Sequence, residues 1–282
     1  MVLGVALALG SAVAHAGWNT TAKRTAAEGM PALWASSLIA FVLVTPLVLL
    51  FGHPSGRLLL LTPVSTVLHT AYAACLQRAY RHFDVGQIYP LSRGLAPLLV
   101  AFAGAAALGQ WLTLPQWIAV LLLGAAVALL LRDRPPTGSA HSRPGHAILW
   151  SAAIAVTIAA YTTFDGWAVV DLGADPISFY GFGLLVQLVL LTALLHRRLP
   201  EAVGQFRRNT GAIVLLAVLI PASYLLGLFA TLHAPLSLVT ALRSSSLLWA
   251  GLIAALMLHE PLGPRRTGAT LLAAAAVVTM LA

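Results

Sequence analysis

Long apolar segments, separated by short polar turns, make up nearly the whole of this 282-residue chain. A helix needs about 20 mostly apolar residues to cross a bilayer. Polar or Gly/Pro breaks divide the chain into ten such segments, at residues 2–21, 31–51, 58–78, 86–108, 113–131, 147–169, 176–195, 211–231, 235–258 and 265–282. No strand-like alternation and no long soluble stretch is left over. The pattern therefore predicts an all-α membrane protein with ten transmembrane helices, and it uses residues 2–21 as the first span instead of a cleaved signal peptide.

One part of this pattern occurs twice, 150 positions apart. Residues 84–131 and residues 234–281 each hold an apolar helix with one arginine, a short polar turn and a second apolar helix. When the two stretches are matched, Arg93 falls on Arg243 and Gln110 falls on Glu260. A shared arginine inside an apolar segment is costly in a membrane, so its repetition indicates two related halves.

The chain then divides into three parts. A first five-helix repeat covers residues 1–131, a basic, proline-rich linker covers 132–146, and a second five-helix repeat covers 147–282. An odd number of crossings in each half forces the second half to insert upside down relative to the first. The sequence therefore predicts two inverted repeats with a substrate site between them, near the bilayer midplane.

Composition supports the membrane prediction and gives an orientation. Hydrophobic residues make up 60% of the chain and charged residues 9%, against about 25% charged in soluble proteins. Of the 16 lysines and arginines, thirteen lie in turns after odd-numbered segments, and Arg57 alone lies after an even-numbered one. This bias sets membrane orientation, so the net charge of +8 does not indicate a nucleic-acid partner. It predicts that both chain ends lie outside the cytoplasm.

Three charged residues inside the apolar segments are candidates for function. Arg93 and Arg243 are predicted on either side of the midplane, where two guanidinium groups facing one cavity could bind a carboxylate or phosphate. Asp165 is the one carboxylate well inside a segment. It is predicted to couple or gate transport by pairing with Arg243, and a purely structural ion pair between the two is the open alternative.

Aromatic and polar side chains near these charges form a candidate binding wall. His15 lies one turn from both Trp18 and Asn19 on the first segment, and histidine can titrate near neutral pH. On three other segments an aromatic residue lies one turn from a polar one, in the pairs His69 and Tyr72, Tyr89 and Arg93, and Tyr161 and Asp165. The substrate-binding prediction therefore contains Arg93, Arg243, His15, Trp18, Asn19, His69, Tyr72, Tyr89 and Tyr161. For His15, a hydrogen bond to a backbone carbonyl is the competing interpretation.

Several classes of chemistry have no signature in the chain. Cys75 is the single cysteine, so it makes no internal disulfide and no cysteine metal cluster. The ATP-binding pattern Gly-x-x-x-x-Gly-Lys does not occur in the chain. If the protein transports a solute, the energy for transport must therefore come from a gradient of protons or of another solute. The sequence predicts no metal site, no cofactor and no enzymatic activity.

Three short motifs connect the chain to a known family. They are HAGWN at 15–19 in the first segment, and GQWLTLPQW at 109–117 and HEPLGPRRTG at 259–268, which close the two halves. With these motifs the chain resembles the EamA-like branch of the drug/metabolite transporter superfamily over nearly its whole length. It departs from that pattern in Gln110, where the family usually has glutamate. The resemblance also implies both ends in the cytoplasm, the opposite of the orientation that the charge count predicts.

The resulting prediction is a secondary transporter integral to the cell membrane, the inner membrane in a bacterium. It would export or exchange a small anionic or zwitterionic metabolite, such as an amino acid, an organic acid or a phosphorylated compound, by alternating access. Its partners would be this small molecule and the lipid bilayer, and a monomer is compatible with the sequence. A flippase or accessory subunit for a lipid-linked substrate stays open, as does an intramembrane lipid-modifying enzyme.

Overall fold

Helices form every regular element in the described part of the chain. A computed structural model describes residues 1–25, 29–80, 83, 85–131, 144–246, 248–249 and 264–281. Its helices are α1 (Val2–Thr25), α2 (Gly29–Phe51), α3 (Leu58–Tyr80), α4 (Val85–Leu108), α5 (Leu114–Leu131), α6 (Pro144–Val170), α7 (Pro176–Leu194), α8 (Leu199–Arg208), α9 (Thr210–Thr231), α10 (Leu236–Ser244) and α11 (Pro264–Leu281).

Nine of the ten predicted segments coincide with one of these helices to within a few residues. Six helical stretches are long and apolar enough to cross a membrane, namely Met30–Phe51, Leu58–Leu76, Leu91–Leu108, His146–Val170, Pro176–Leu194 and Thr210–Thr231. Shorter apolar helical stretches cover Val2–Trp18, Leu114–Ala126 and Thr267–Thr279. The chain is therefore a multi-pass membrane protein, and the full count of ten spans stays a prediction.

The segment predicted at 235–258 is not one continuous helix, which corrects the sequence-based prediction. α10 ends at Ser244, and Ser245 forms a turn. The hydroxyls of both serines donate to carbonyls of the preceding helical turn, a competition with the backbone that weakens helices. Arg243 consequently lies in the last turn of a nine-residue helix instead of near the middle of a long one. Residues 250–263 lie outside the described residues.

Two further boundaries differ from the predicted ones. The loop predicted after residue 195 contains the short helix α8, which is polar on one side and was missed by a search for long apolar segments. In the predicted linker 132–146, residues 132–143 lie outside the described residues, and α6 already begins at Pro144.

Helices from the two ends of the chain pack against each other. α1 packs on α9 and α10, while α6 packs on α3 and α4. α2 contacts α7 and α9, and α3 contacts α7. α5 packs on α11, and α4 crosses α10. The helices before and after residue 140 therefore share one interior.

The contact between α1 and α9 depends on small residues. The Ser11 hydroxyl donates to the Ser223 carbonyl at 2.6 Å, and the Ser223 hydroxyl donates back to the Ser11 carbonyl at 3.0 Å. Both side chains are almost fully buried. Small hydroxyl residues let membrane helices approach closely and bond across their interface, which explains why these two helices lie so near each other.

The outer surface of the bundle is strongly apolar. Leu49 is 79% exposed, Leu60 is 77% exposed, and Val189 is 63% exposed. A water-soluble protein does not expose so many large aliphatic side chains over a continuous surface. These side chains are satisfied when lipid tails surround the helices.

Candidate functional site

Asp165 is the centre of a polar cluster inside the bundle. It lies on α6 and is 3% exposed. Its carboxylate accepts hydrogen bonds from the Ser65 hydroxyl at 2.6 Å and the Tyr224 hydroxyl at 2.6 Å, and Nε2 of His69 lies 2.9 Å from Oδ2. Nε2 of His69 donates to the carboxylate in the tautomer that carries the proton on this nitrogen. A buried carboxylate needs such donors, since leaving it bare would cost several kcal/mol.

His69 lies between Asp165 and a group of aromatic rings. Its ring stacks on Tyr161 with a centroid distance of 4.1 Å and meets Tyr224 edge-on at 5.5 Å. Tyr72, on the same helix as His69, also packs edge-on against Tyr161, at 5.5 Å. The side chain of His69 keeps 32% of its surface exposed. His69 and Tyr72 thus share Tyr161 as a neighbour across the α3–α6 contact.

Arg93 lies on α4 and is 8% exposed. Its Nη2 donates to the hydroxyl of Tyr72 at 3.0 Å, and the guanidinium carbon lies 5.8 Å from the centre of the same ring. The aromatic ring therefore supplies both an acceptor and a cation–π contact. Through Tyr72 and Tyr161 the first arginine is linked to the Asp165 cluster.

Arg243 is held in a different way. Its guanidinium lies against Gly227 of α9, where an added Cβ would come within 3.1 Å of both Cζ and Nη1. Its Nε is buried and has no hydrogen-bond partner in the described part of the chain. The negative end of the α10 helix dipole lies at this last turn and favours a cation there. The glycine makes room for the charge, and part of the guanidinium's donor capacity stays unused.

The predicted ion pair between Asp165 and Arg243 is not formed. In the part of the chain that the structure describes, the basic side chain within 4.0 Å of Asp165 is His69, and Arg243 is farther away. The physical reason is that two hydroxyls and an imidazole already occupy the carboxylate oxygens. The arginine instead faces the carboxylate across a small cavity.

This cavity has a volume of about 20 Å³, room for about one water molecule. α6, α9 and α10 line it. Its walls hold two charges, Asp165 and Arg243, the rings of Tyr161 and Tyr224, and the hydroxyl-bearing residues Thr162, Thr231 and Thr240. Arg93 does not line it, so the structure does not place both arginines at one cavity, as the sequence predicted.

α1 contributes a separate polar pair. Nε1 of Trp18 donates to Nδ1 of His15 at 3.1 Å, and the Ser223 hydroxyl lies 3.5 Å from the same nitrogen. The predicted neighbourhood of His15 and Trp18 is therefore present, with His15 buried. Neither residue lines the cavity. The backbones of Asn19 and Tyr89 lie in α1 and α4, and their side chains lie outside the described residues.

A comparison with protein families identifies part of the chain. The model of the EamA-like transporter family matches residues 2–132. Residues 2–132 belong to the EamA-like transporter family. This family lies in the drug/metabolite transporter superfamily, which confirms the resemblance found in the sequence motifs. Because EamA-like proteins are membrane transporters, the match over residues 2–132 points to membrane transport as the class of function.

Comparisons with whole proteins add the fold. A solved structure titled "Crystal structure of protein" superposes with a TM-score of 0.80 at 16% sequence identity, covering 99% of this chain and 97% of its own. No protein with a curated description matches the sequence. At this identity the structural likeness shows a shared fold alone.

Gln110, the departure from the EamA-like pattern, has a clear structural partner. Its Oε1 accepts a hydrogen bond from the backbone amide of Leu236 at 2.9 Å, so it satisfies an N–H at the start of α10. It follows Gly109, whose φ of 61° brings the chain sharply out of α4. This turn residue of the first half therefore positions the arginine-bearing helix of the second. Its counterpart Glu260 lies outside the described residues.

Sequence analysis missed Ser65, Tyr224 and Gly227. Ser65 lies four residues before His69, so the one-turn spacing used for the other pairs could have found it. Tyr224 and Gly227 lie three residues apart on α9, a segment with no charge to draw attention to it. Their importance follows only from which helices meet.

Proposed function

We propose that this protein is a secondary transporter that exports or exchanges a small anionic or zwitterionic metabolite by alternating access. The observation that carries the proposal is the small cavity between α6, α9 and α10, with the half-buried Arg243 on one wall and the buried Asp165 on another. Ionisable residues placed this deep in a membrane protein usually line a substrate or ion pathway.

Helix packing supports the inverted arrangement of two five-helix repeats, residues 1–131 and 147–282. When α1 to α5 are matched in order with α6, α7, α9, α10 and α11, the contacts correspond. The α1–α9 contact matches α6–α3, α4–α6 matches α10–α1, and α3–α7 matches α9–α2. The pairs α2–α7, α4–α10 and α5–α11 match themselves, as they would across a two-fold axis.

In this mechanism Arg243 is the primary anion-binding group. A buried donor without a partner costs about 1–3 kcal/mol, and more when it is charged. A substrate carboxylate or phosphate that accepts from Nε and a terminal nitrogen would remove this cost with a bidentate contact. The cavity is too small for a metabolite, so binding requires α10 to move away from α6 or α9.

Arg93 would join the site when that movement occurs. Among the described residues, the side chains of Tyr72 and Tyr161 connect it to the cavity, so a rotation of these rings would bring its guanidinium to the substrate. His69 and Asp165 then serve as the coupling group, because a proton or a substrate amine can compete for the carboxylate. His15, Trp18, Asn19 and Tyr89 complete the proposed wall on α1 and α4.

A proteoliposome uptake screen of anionic and zwitterionic metabolites, with and without a pH gradient, tests the proposal. We expect Arg243→Ala to remove transport and Arg93→Ala to weaken it strongly for the same compounds. Arg57→Ala is the matched control, because this exposed arginine donates to the Leu172 carbonyl far from the cavity. Unchanged transport of every carried compound in both arginine variants would contradict the anion proposal.

A lipid-linked substrate is the second candidate, favoured by one observation. An apolar groove of about 590 Å³ lies between α4 and α6, lined by side chains that include Phe164 and Trp167. It carries no charged residue, so it is not the anion site, but an acyl chain could occupy it. A flippase assay with a fluorescent phospholipid separates the two candidates, since a carrier of soluble metabolites would leave the probe on its original side.

A further inference from the structure

α8 lies where the chain must run along the membrane surface. α7 ends at Leu194 and α9 begins at Thr210, and both are long and apolar enough to cross the bilayer. The ten residues of α8 connect these two spans and pack against α2 and α9. The position of this helix at one face of the bundle therefore follows from its neighbours and not from the proposed transport activity.

Part of the apolar side of α8 stays exposed when the helix packs against the bundle. Leu199, Val203 and Phe206 are spaced four and three residues apart, so they form one stripe along the helix. Val203 is 47% exposed and Phe206 is 40% exposed, whereas Ala202 and Gln205 are buried against the bundle. A short surface helix with an exposed apolar stripe is typical of helices that lie in the lipid interface.

The charges around the stripe are unbalanced. Residues 197–208 contain four arginines and one glutamate. Arg198 donates to Glu201 through Nε at 2.9 Å and through Nη2 at 2.7 Å. This hydrogen bond lowers the pKa of Glu201 and raises the pKa of Arg198, so both stay charged at neutral pH. Among the described residues, Arg197, Arg207 and Arg208 have no acidic partner within 4.0 Å, and all three are exposed.

We propose that α8 is a binding site for anionic phospholipids, with Arg197, Arg207 and Arg208 contacting the headgroups. Val203 and Phe206 would then lie at the boundary with the acyl chains. Juxtamembrane arginines attract anionic lipid, and the attraction falls off within a Debye length. A free phosphate ion would leave the apolar stripe in water, so the combination of arginines and stripe fits a lipid.

The test uses the full-length protein in nanodiscs of equal parts phosphatidylglycerol and phosphatidylcholine. Native mass spectrometry gives the ratio of the two lipids that remain bound after release. Each basic residue near an anionic surface contributes about fivefold to binding. We therefore expect the variant with Arg197→Gln, Arg207→Gln and Arg208→Gln to lose about 100-fold of the preference for phosphatidylglycerol.

Two single substitutions give a sign test and a control. Glu201→Gln frees Arg198 and should raise the preference for phosphatidylglycerol by about fivefold. Arg57→Gln removes an exposed arginine outside α8 and should leave the preference unchanged. All of these side chains are exposed, so the fold should persist, which a thermal melt in detergent checks for each variant.

The proposal would be overturned by an unchanged lipid ratio in the triple variant, or by a fall in the ratio with Glu201→Gln. A second arm measures the melting temperature in detergent after adding phosphatidylglycerol, phosphatidylcholine or inorganic phosphate. Stabilisation by phosphatidylglycerol alone supports a lipid site. Equal stabilisation by inorganic phosphate would show that the arginines bind phosphate in general and would reject the lipid assignment.

Discussion

Arg93 and Arg243 occupy matching positions in the two halves of the sequence, yet their surroundings differ. Arg93 is held by an aromatic ring, through a hydrogen bond and a cation–π contact with Tyr72. Arg243 is held by shape, because Gly227 brings a backbone against the guanidinium. The first arginine contacts a tyrosine ring and its hydroxyl. The second lines the small cavity together with Asp165.

This difference shows how a repeated sequence can give an unequal site. The two arginine helices touch where the Ser244 hydroxyl donates to the Arg93 carbonyl at 3.2 Å. Around that contact, Arg93 donates to the Tyr72 hydroxyl, whereas the guanidinium of Arg243 lies against the backbone of Gly227. The divergence of neighbouring residues, not of the arginines, makes one half the proposed primary binding element.

The largest effect is expected from a substitution that fills the space at Gly227, where the guanidinium of Arg243 lies. Gly227→Leu would place a side chain where the guanidinium lies, so we expect a loss of transport of about 100-fold, comparable to Arg243→Ala. The measurement is the initial uptake rate in proteoliposomes. Gly124→Ala is the matched control, because no atom lies within 4 Å of the added Cβ. Normal uptake by the Gly227 variant would show that the close packing has no functional role.

A smaller effect is expected from the ring that holds Arg93. Tyr72→Phe removes the hydroxyl that accepts from Nη2 and keeps the ring, so the lost charge-assisted hydrogen bond amounts to about 1.5–3 kcal/mol. If the Tyr72 hydroxyl restrains Arg93, the apparent substrate affinity changes while Arg243-dependent transport persists. Tyr180→Phe serves as the control, since among the described residues the Tyr180 hydroxyl makes no hydrogen bond. An identical affinity in both variants would contradict a role for the Tyr72 contact.

The smallest expected effect concerns the cap on α10. Gln110→Ala removes the acceptor for the Leu236 amide and should cost about 1 kcal/mol of stability, as the loss of a helix cap does. Gln110→Glu keeps an acceptor and should restore most of it. Gln116→Ala is the matched control for Gln110→Ala, because Gln116 also accepts a backbone hydrogen bond, from the Thr113 amide at the start of α5. Both alanine variants should melt earlier, and only Gln110→Ala should also alter transport.

The helices were largely predictable because an apolar run of spanning length leaves the backbone few alternatives in lipid. The predicted segment 31–51 and the observed helix Gly29–Phe51 agree for this reason. The short helix α8 was not predicted, because its ten residues carry their apolar side chains on one face only. The end of α10 was not predicted because the three serines after Arg243 are compatible with a continuous helix. The hydroxyls of Ser244 and Ser245 bond to carbonyls of the preceding turn, and sequence alone does not show these contacts.

The candidate site was predictable within single helices but not between them. Spacing along α3 and α6 predicted an aromatic one turn from His69 and one turn from Asp165, and Tyr161 and Asp165 line the same cavity. Which donors reach Asp165 depends on the register of α3 and α9 against α6, and no periodicity encodes that register. For this reason Asp165 contacts Ser65, His69 and Tyr224, and not the predicted partner Arg243.

The reciprocal serine bonds between α1 and α9 bear on how the protein can move. Each hydroxyl donates to the other residue's carbonyl, so any slippage between the two helices breaks both bonds at once. If the protein changes conformation during transport, α1 and α9 should therefore move as one rigid unit. The hinge must then be sought elsewhere, and the interrupted backbone after Arg243 is the natural place for it.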